Sequence, residues 1–249
     1  MFFKDRSNLK SAPLKPARAI VAPSPATVLG ALAATYNRVG GLIEQLSVES
    51  GIDPVAVLAV WYVESGGKAF TPGKSILRFE AHKFYKYWGL NSLAVFDAHF
   101  QFGGRNGIVG KSHQNHKVRL TGQGAWQSYH GNQAQEYEVI KLAETLGGAE
   151  AAALSASYGG PQIMGFNHRS LGYANAASLR QAFDADERWQ VLGFFDFCQT
   201  NFLLSRIEKM QWQKFSDQYN GDGATHGARM KDAYDLKAQL AALPRRTVG

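Results

Sequence analysis

Cysteine is nearly missing from this chain of 249 residues. The lone Cys198 sits in the apolar run Leu192-Gly-Phe-Phe-Asp-Phe-Cys. An internal disulfide is therefore impossible, and a buried thiol synthesised in a reducing compartment is the natural reading. Long apolar runs are missing too: none reaches the ~18 uninterrupted residues that mark a membrane span. The N-terminus lacks a secretory pattern, because its apolar stretch from Ala17 to Ala34 is broken by Arg18, Pro23 and Pro25 and has no clean cleavage site. No internal repeat of roughly 20 to 50 residues is visible. Positive charge is scarce where a nucleic-acid binder needs it. Of the net +7, residues 1–25 carry +4, through Lys4, Arg6, Lys10, Lys15 and Arg18 against Asp5, and Arg245 with Arg246 add +2. Residues 26–244 are left with about +1, whereas nucleic-acid binding concentrates basic charge on a folded face. The charged ends can still attract an anionic wall polymer.

What is present reads as a mainly helical chain. Residues 1–25, with four prolines among small and basic residues, have the composition of a flexible basic arm. From Ala26 apolar residues recur at helical spacing. Gly40-Gly41 reads as an interruption, and a second short helix runs to Ser50. After the helix of residues 54–65, a turn at Pro72 leads to a strand over Ser75–Glu80, then a short aromatic helix from Ala81 to Trp88. Residues 89–131 hold four of the seven histidines and no sustained period. A stretch this long is expected to be functional, such as the wall of a groove. Helices are predicted over Gln133–Leu146, Ala149–Ser157, 176–183, 186–207, 211–219 and 224–242. Residues 26–249 are read as one domain.

The most informative stretch is Val55-Ala-Val-Leu-Ala-Val-Trp-Tyr-Val-Glu-Ser-Gly-Gly67. Asp53 and Pro54 supply an N-cap and a first-turn proline, and Gly66-Gly67 a left-handed stop. Apolar on nearly all faces, the helix is predicted to be buried. Glu64 stands near its C-terminal end, where burial and the negative end of the macrodipole both disfavour a charge. Its pKa is expected to rise toward the range of a general acid. Glu80 follows in the predicted strand, and a helix-then-hairpin geometry brings both carboxylates to one cleft. Two carboxylates in unlike environments are what glycoside hydrolysis requires. Asp97 and Asp222 are weaker candidates for the second role. Ser157-Tyr-Gly-Gly-Pro-Gln-Ile-Met-Gly-Phe-Asn167 is a glycine-rich bend whose amide groups suit N-acetyl groups and hydroxyls, and Tyr219-Asn220-Gly221 is a turn.

Together and in this order, these pieces resemble the lysozyme-like superfamily, as in goose-type lysozymes and soluble lytic transglycosylases. The runs Ile76-Leu-Arg-Phe-Glu-Ala-His82 and Ser155-Ala-Ser-Tyr-Gly-Gly-Pro-Gln-Ile-Met-Gly-Phe-Asn167 are similar to the N-acetylmuramidase domain of endolysins from phages of Gram-negative bacteria, over about residues 40 to 240. The resemblance implies an α+β lysozyme-like fold with a small β-hairpin beside the active-site cleft. It also implies cleavage of the β-1,4 bond between N-acetylmuramic acid and N-acetylglucosamine in peptidoglycan. On that basis Glu64 is the general acid and Ser157, Gln162 and Met164 line the cleft. Tyr219 lies close to the acid and Asn220 orients the substrate or the loop. Tyr158 stands where the family usually has Trp and is expected to keep its stacking on sugar; Glu80 matches the Phe-Glu-x-His motif without a role following from it. A separate wall-binding module upstream, common in that family, is not expected here.

No cofactor is expected. His113-x-x-His116, with His99 and His130 nearby, lacks the companion carboxylate or cysteine of a zinc pattern, so no metal is expected either. The aromatics Trp61, Tyr62, Trp88 and Trp189 read as core, while Trp126 could stack on a sugar. The expected partner is the glycan strand, with no nucleic acid, no stable membrane insertion and a monomeric state. Synthesis in the host cytoplasm and action on the wall in the periplasm follow from the resemblance. Rival readings are a lytic transglycosylase, which closes a 1,6-anhydro ring, and a glycan-binding module without catalysis.

Overall fold

The structure, a computed structural model, describes residues 1–247; the last two positions of the predicted domain lie outside them. In chain order the first part holds α1 (Ser7–Ser11), β1 (Arg18–Ile20), α2 (Val28–Ser50), α3 (Pro54–Ser65), the strands β2 (Phe70–Thr71), β3 (Lys74–Ser75) and β4 (Leu77–Phe79), then α4 (Ala81–Tyr87) and α5 (Leu93–His99). The middle holds β5 (Phe100–Gln101), β6 (Lys117–Val118), β7 (Gln127–Ser128), α6 (Gln133–Leu154), β8 (Ala156–Tyr158) and β9 (Ile163–Met164). The last part is α7 (Ala176–Ala185), α8 (Glu187–Thr200), α9 (Leu204–Glu208), α10 (Trp212–Tyr219), α11 (Thr225–Tyr234), α12 (Lys237–Ala242) and β10 (Arg245–Thr247). The chain is mainly helical, with small antiparallel sheets.

The predicted buried helix is α3. The Asp53 carboxylate accepts from the Val55 N–H at 2.9 Å, and Gly66 closes the helix at φ 65° in the left-handed region. Ala56 to Trp61 are sealed from solvent, with α2 and α11 packed against them. Gly40-Gly41 does not interrupt α2, which runs unbroken. A Cβ on Gly41 would meet the Lys15 carbonyl oxygen at 2.2 Å, so this glycine admits the N-terminal segment to the helix surface. The ~1 kcal/mol propensity cost of a helical glycine is outweighed by burial of Val39, Leu42 and Ile43 around it.

The N-terminal segment is likewise not a flexible arm. Phe3, Leu9 and Ala12 are buried, β1 pairs antiparallel with β10, and the Phe3 and Lys4 N–H groups donate to the two carboxylate oxygens of Asp196 at 2.5 and 3.2 Å. A few well-placed apolar residues anchor a stretch whose average composition is polar. Asp196 is fully buried, and burial lifts its pKa from 3.8 to about 7 despite those hydrogen bonds. Asp196→Ala strands both donors and is expected to lower unfolding stability by about 1–3 kcal/mol. The comparison belongs in urea below pH 3.8, where the carboxyl is neutral in both the folded and the unfolded chain and no charge penalty enters; an unchanged midpoint would show that the segment is not tied down there.

Two further predicted helices differ from the structure. The 186–207 helix splits into α8 and α9 because Phe202 takes φ 58°, and 224–242 splits into α11 and α12. The unreadable 89–131 stretch contains α5 and the three-stranded sheet β5-β6-β7. The predicted hairpin is β2-β3, and the strand predicted over 75–80 is β4, which joins a sheet of order β4-β8-β9. The outer edge of β4 is satisfied by a helix. From α6, Gln133 accepts from the Leu77 N–H and donates to the Leu77 carbonyl, both at 2.9 Å. Glu136 accepts from the Phe79 N–H at 2.8 Å. These side chains, three residues apart on one helix face, stand in for a missing strand.

Candidate active site

A cleft of about 920 Å³ opens between the C-terminal end of α3, the sheet β4-β8-β9 and the end of α10, toward the upper end of the range for small-molecule sites. Glu64, Glu80, Ser157, Gln162, Met164, Tyr219 and Asn220 all line it. The sheet register explains part of that convergence: Arg78 pairs with Ser157 and Ser157 with Met164, so one row of side chains faces the cleft. The neighbouring row, Leu77, Tyr158 and Ile163, is buried. Tyr158 is therefore not a sugar platform. It is fully buried and donates to the Ala153 carbonyl at 3.2 Å, because side chains alternate across a strand and Ser157 takes the cleft side.

The glycine-rich bend is held from within. Ser157 Oγ donates to Gln162 Oε1 at 2.9 Å, and Gln162 Nε2 donates to the Gly159 carbonyl at 2.8 Å. Gln162 takes φ 50°, a strained value for a residue with a side chain. Gly160 lies flat against Trp61, where a Cβ would stand 2.8 Å from the indole ring; the bend thus docks directly on the α3 helix. Tyr219 packs among Phe194, Phe197 and Phe215, and its hydroxyl donates to the Pro161 carbonyl at 2.6 Å. It ties α10 to the same bend.

Glu64 is half-buried. Its Oε1 accepts from Asn220 Nδ2 at 2.8 Å. The Asn220 amide is oriented by its own oxygen, which accepts from the Ser216 hydroxyl at 3.1 Å and the Asp222 N–H at 3.0 Å. Burial raises the Glu64 pKa from 4.5 to about 7, against the Asn220 hydrogen bond and the charges of His226 and Arg229, which pull it down. Glu80 is the opposite case. Burial opposes its charge, but His82, His116 and Arg78 outweigh burial and hold its pKa down at about 2. Arg78 Nε donates to Glu80 Oε1 at 2.9 Å. One carboxyl titrates at about 7 and the other stays ionised there, in one cleft.

The other sequence candidates lie elsewhere. Asp97 is paired with Arg105 at 2.8 Å, Asp222 with His226 at 3.0 Å, and neither lines the cleft. Trp126 lies under the Arg119 guanidinium, 4.7 Å from its ring centroid, away from the cleft-lining set, so it offers no sugar platform there. Sequence reasoning missed His226, Phe166, Asn201 and Asp217, all cleft-lining. Of the 89–131 stretch, His113 reaches the cleft. Glu80, His82 and His116 bring three potential ligand atoms within 4.8 Å of one another.

A cleft with a proton-holding acid at the end of a buried helix, faced by an ionised carboxylate and amide-rich walls, defines a glycoside hydrolase of lysozyme-like build. The chain belongs to the N-acetylmuramidase family, whose model matches residues 53–239, and with that membership go glycoside hydrolase activity and peptidoglycan as substrate. The fold is similar to that in a crystal structure of the Burkholderia AP3 phage endolysin, with a TM-score of 0.59 and 24% identity over 79% of this chain and 70% of that one. No curated protein matches the chain.

Proposed function

We propose that Glu64 is the general acid that protonates the glycosidic oxygen between N-acetylmuramic acid and N-acetylglucosamine, and that water completes the cleavage. The observation that carries this reading is the Glu64 pKa of about 7 at the wall of the cleft, which leaves a proton available near neutral pH. Asn220 holds the carboxyl in place. Tyr219, Ser157 and Gln162 keep the bend rigid, and the cleft-facing surfaces of Met164 and Phe166 offer apolar contact to sugar rings. Glu80, ionised and fixed by Arg78, contributes negative charge as the sugar gains oxocarbenium character. Arg78 engages its Oε1 and its pKa is held down at about 2, so it acts through its field rather than as a proton carrier.

The likeness to a phage endolysin motivates a role in releasing phage from a bacterial host, with action on the wall as a monomer in the periplasm. Among the described residues no helix is long and apolar enough to cross a membrane. Hydrolysis is tested by mass spectrometry of the muropeptides released from purified walls. Products with reducing N-acetylmuramic acid ends are expected. Products lighter by one water would assign the ring-closing transglycosylase reaction instead.

A further inference from the structure

We propose that Glu80, His82 and His116 form a binding site for a divalent transition metal ion, with Zn²⁺ the ion of best fit. Glu80 and His82 come from the start of α4, and His116 from the segment just before β6. Folding thus supplies the carboxylate that the histidine spacing lacks in sequence.

Three observations converge on the site. The first is geometry. Glu80 Oε2 lies 3.3 Å from His82 Nδ1 and 3.4 Å from His116 Nδ1. Ligands bound tetrahedrally at ~2.0–2.2 Å, as zinc binds nitrogen and carboxylate oxygen, stand roughly 3.3–3.5 Å apart. The second is unsatisfied donor atoms: Glu80 Oε2 and His82 Nδ1 are both buried and have no hydrogen-bond partner. Buried polar atoms in that condition need an explanation, and a cation between them is one. The third is the proton arrangement. His116 Nε2 lies 2.9 Å from the Ser112 carbonyl, which can only accept, so the neutral ring carries its lone pair on Nδ1. His130 Nδ1 lies 2.9 Å from the Glu136 carboxylate, which leaves its lone pair on Nε2. Those two lone-pair nitrogens face each other at 2.9 Å. A proton on His130 would settle that contact but leave Glu80 Oε2 and His82 Nδ1 unpaired. A metal ion held by His116 Nδ1, Glu80 Oε2 and His82 Nδ1 gives each of those atoms a partner, with a water in the fourth position whose proton His130 Nε2 can accept.

The outer contacts have the form that metal-binding histidines use, a ring N–H held by a carbonyl or carboxylate. Arg78 occupies Glu80 Oε1 and leaves Oε2 as a single donor. Its charge opposes the cation, while Glu80 and the buried Glu136 behind His130 favour it. Glu80 and His82 line the cleft, which gives an ion a path in. The bound ion would pin the β5-β6-β7 sheet to the Phe-Glu-x-His segment, and this assignment does not depend on the role of Glu64.

The test uses the untagged full chain, stripped with chelator and titrated with ZnCl₂ by calorimetry. One Zn²⁺ per chain is expected, with a melting temperature that rises with zinc, and Co²⁺ is expected to show the visible bands of low-symmetry coordination. His116→Asn, with folding checked by circular dichroism, should weaken zinc at least ~10-fold, the lower bound for losing even a supporting contact. His82→Gln serves as the second variant if the first does not fold. No binding by the parent, binding only at several equivalents, or unchanged affinity in the folded variant would each overturn the site and leave the cluster as a protonated histidine network.

Discussion

Glu64→Gln is expected to lose at least ~10²-fold of wall-lysing activity, the usual share of a general acid, while becoming more stable above neutral pH. The two effects have one cause. Glutamine keeps an oxygen for the Asn220 amide, which donates to Glu64 Oε1 at 2.8 Å, but has no proton to give. In the parent, the folded-state pKa is raised from 4.5 to about 7. Stability is therefore fully present below pH 4.5, falls between 4.5 and 7, and stays low above 7, where the folded chain must hold a disfavoured charge. A shift of that size corresponds to a ceiling on the order of 3 kcal/mol, and the side chain's remaining solvent contact at the cleft keeps the gain below it. Urea unfolding of parent and variant should coincide at pH 4 and diverge at pH 8 in favour of the variant. A variant that loses activity but is less stable at pH 8 would mean that Glu64 holds the fold rather than a proton.

The largest stability effect is expected at Glu136, which is buried at 1% exposure. Its Oε2 accepts from the Phe79 N–H at 2.8 Å, and its Oε1 pairs with His130 Nδ1 at 2.9 Å. Glu136→Ala strips the backbone edge of β4 and the histidine in one step, and opens space in the core beside them. Leaving the buried Phe79 N–H and the His130 ring without their acceptor costs about 1–3 kcal/mol each, together a large fraction of the ~5–15 kcal/mol that holds a domain together. At roughly 2–4 °C per kcal/mol for a chain of this size, the melting temperature should fall by about 10 °C. Glu136→Gln keeps one acceptor and should lose less. A fall below about 1 kcal/mol in the alanine variant would show that water replaces the carboxylate at no cost, and that α6 does not hold β4.

The α3 helix was legible because every local signal agreed. The Asp53 cap, Pro54, an all-apolar run and the Gly66 stop define α3, and a carboxylate at that end can hardly be anything but perturbed. The cleft walls were legible as motifs but not as surfaces. Ser157 and Tyr158 are adjacent in sequence, and only the pairing of β8 with β4 decides which faces the cleft. The N-terminal segment and Gly40-Gly41 misled for a shared reason. Each was read by composition, and each is explained by the other, since the missing side chain at Gly41 is where the segment docks. His226 carried no local signal, because its neighbour in space, Glu64, is far away along the chain; the His113-x-x-His116 spacing was visible, but its companion carboxylate, Glu80, is distant in sequence. The α6 pair Gln133 and Glu136 did carry one, a polar i,i+3 pair on a helix with an Asn132 cap, which marks a side-chain edge for a strand once the helix is recognised.

The proposed role of Glu64 requires a carboxyl that still carries a proton near neutral pH. The direct measurement is the carboxyl ¹³C shift of Glu64 across a pH titration, assigned by its disappearance in Glu64→Gln. A midpoint of about 7 is predicted. A midpoint near the ordinary 4.5 would mean that the cleft holds no proton for the glycosidic oxygen, and would contradict the assignment of Glu64 as the acid.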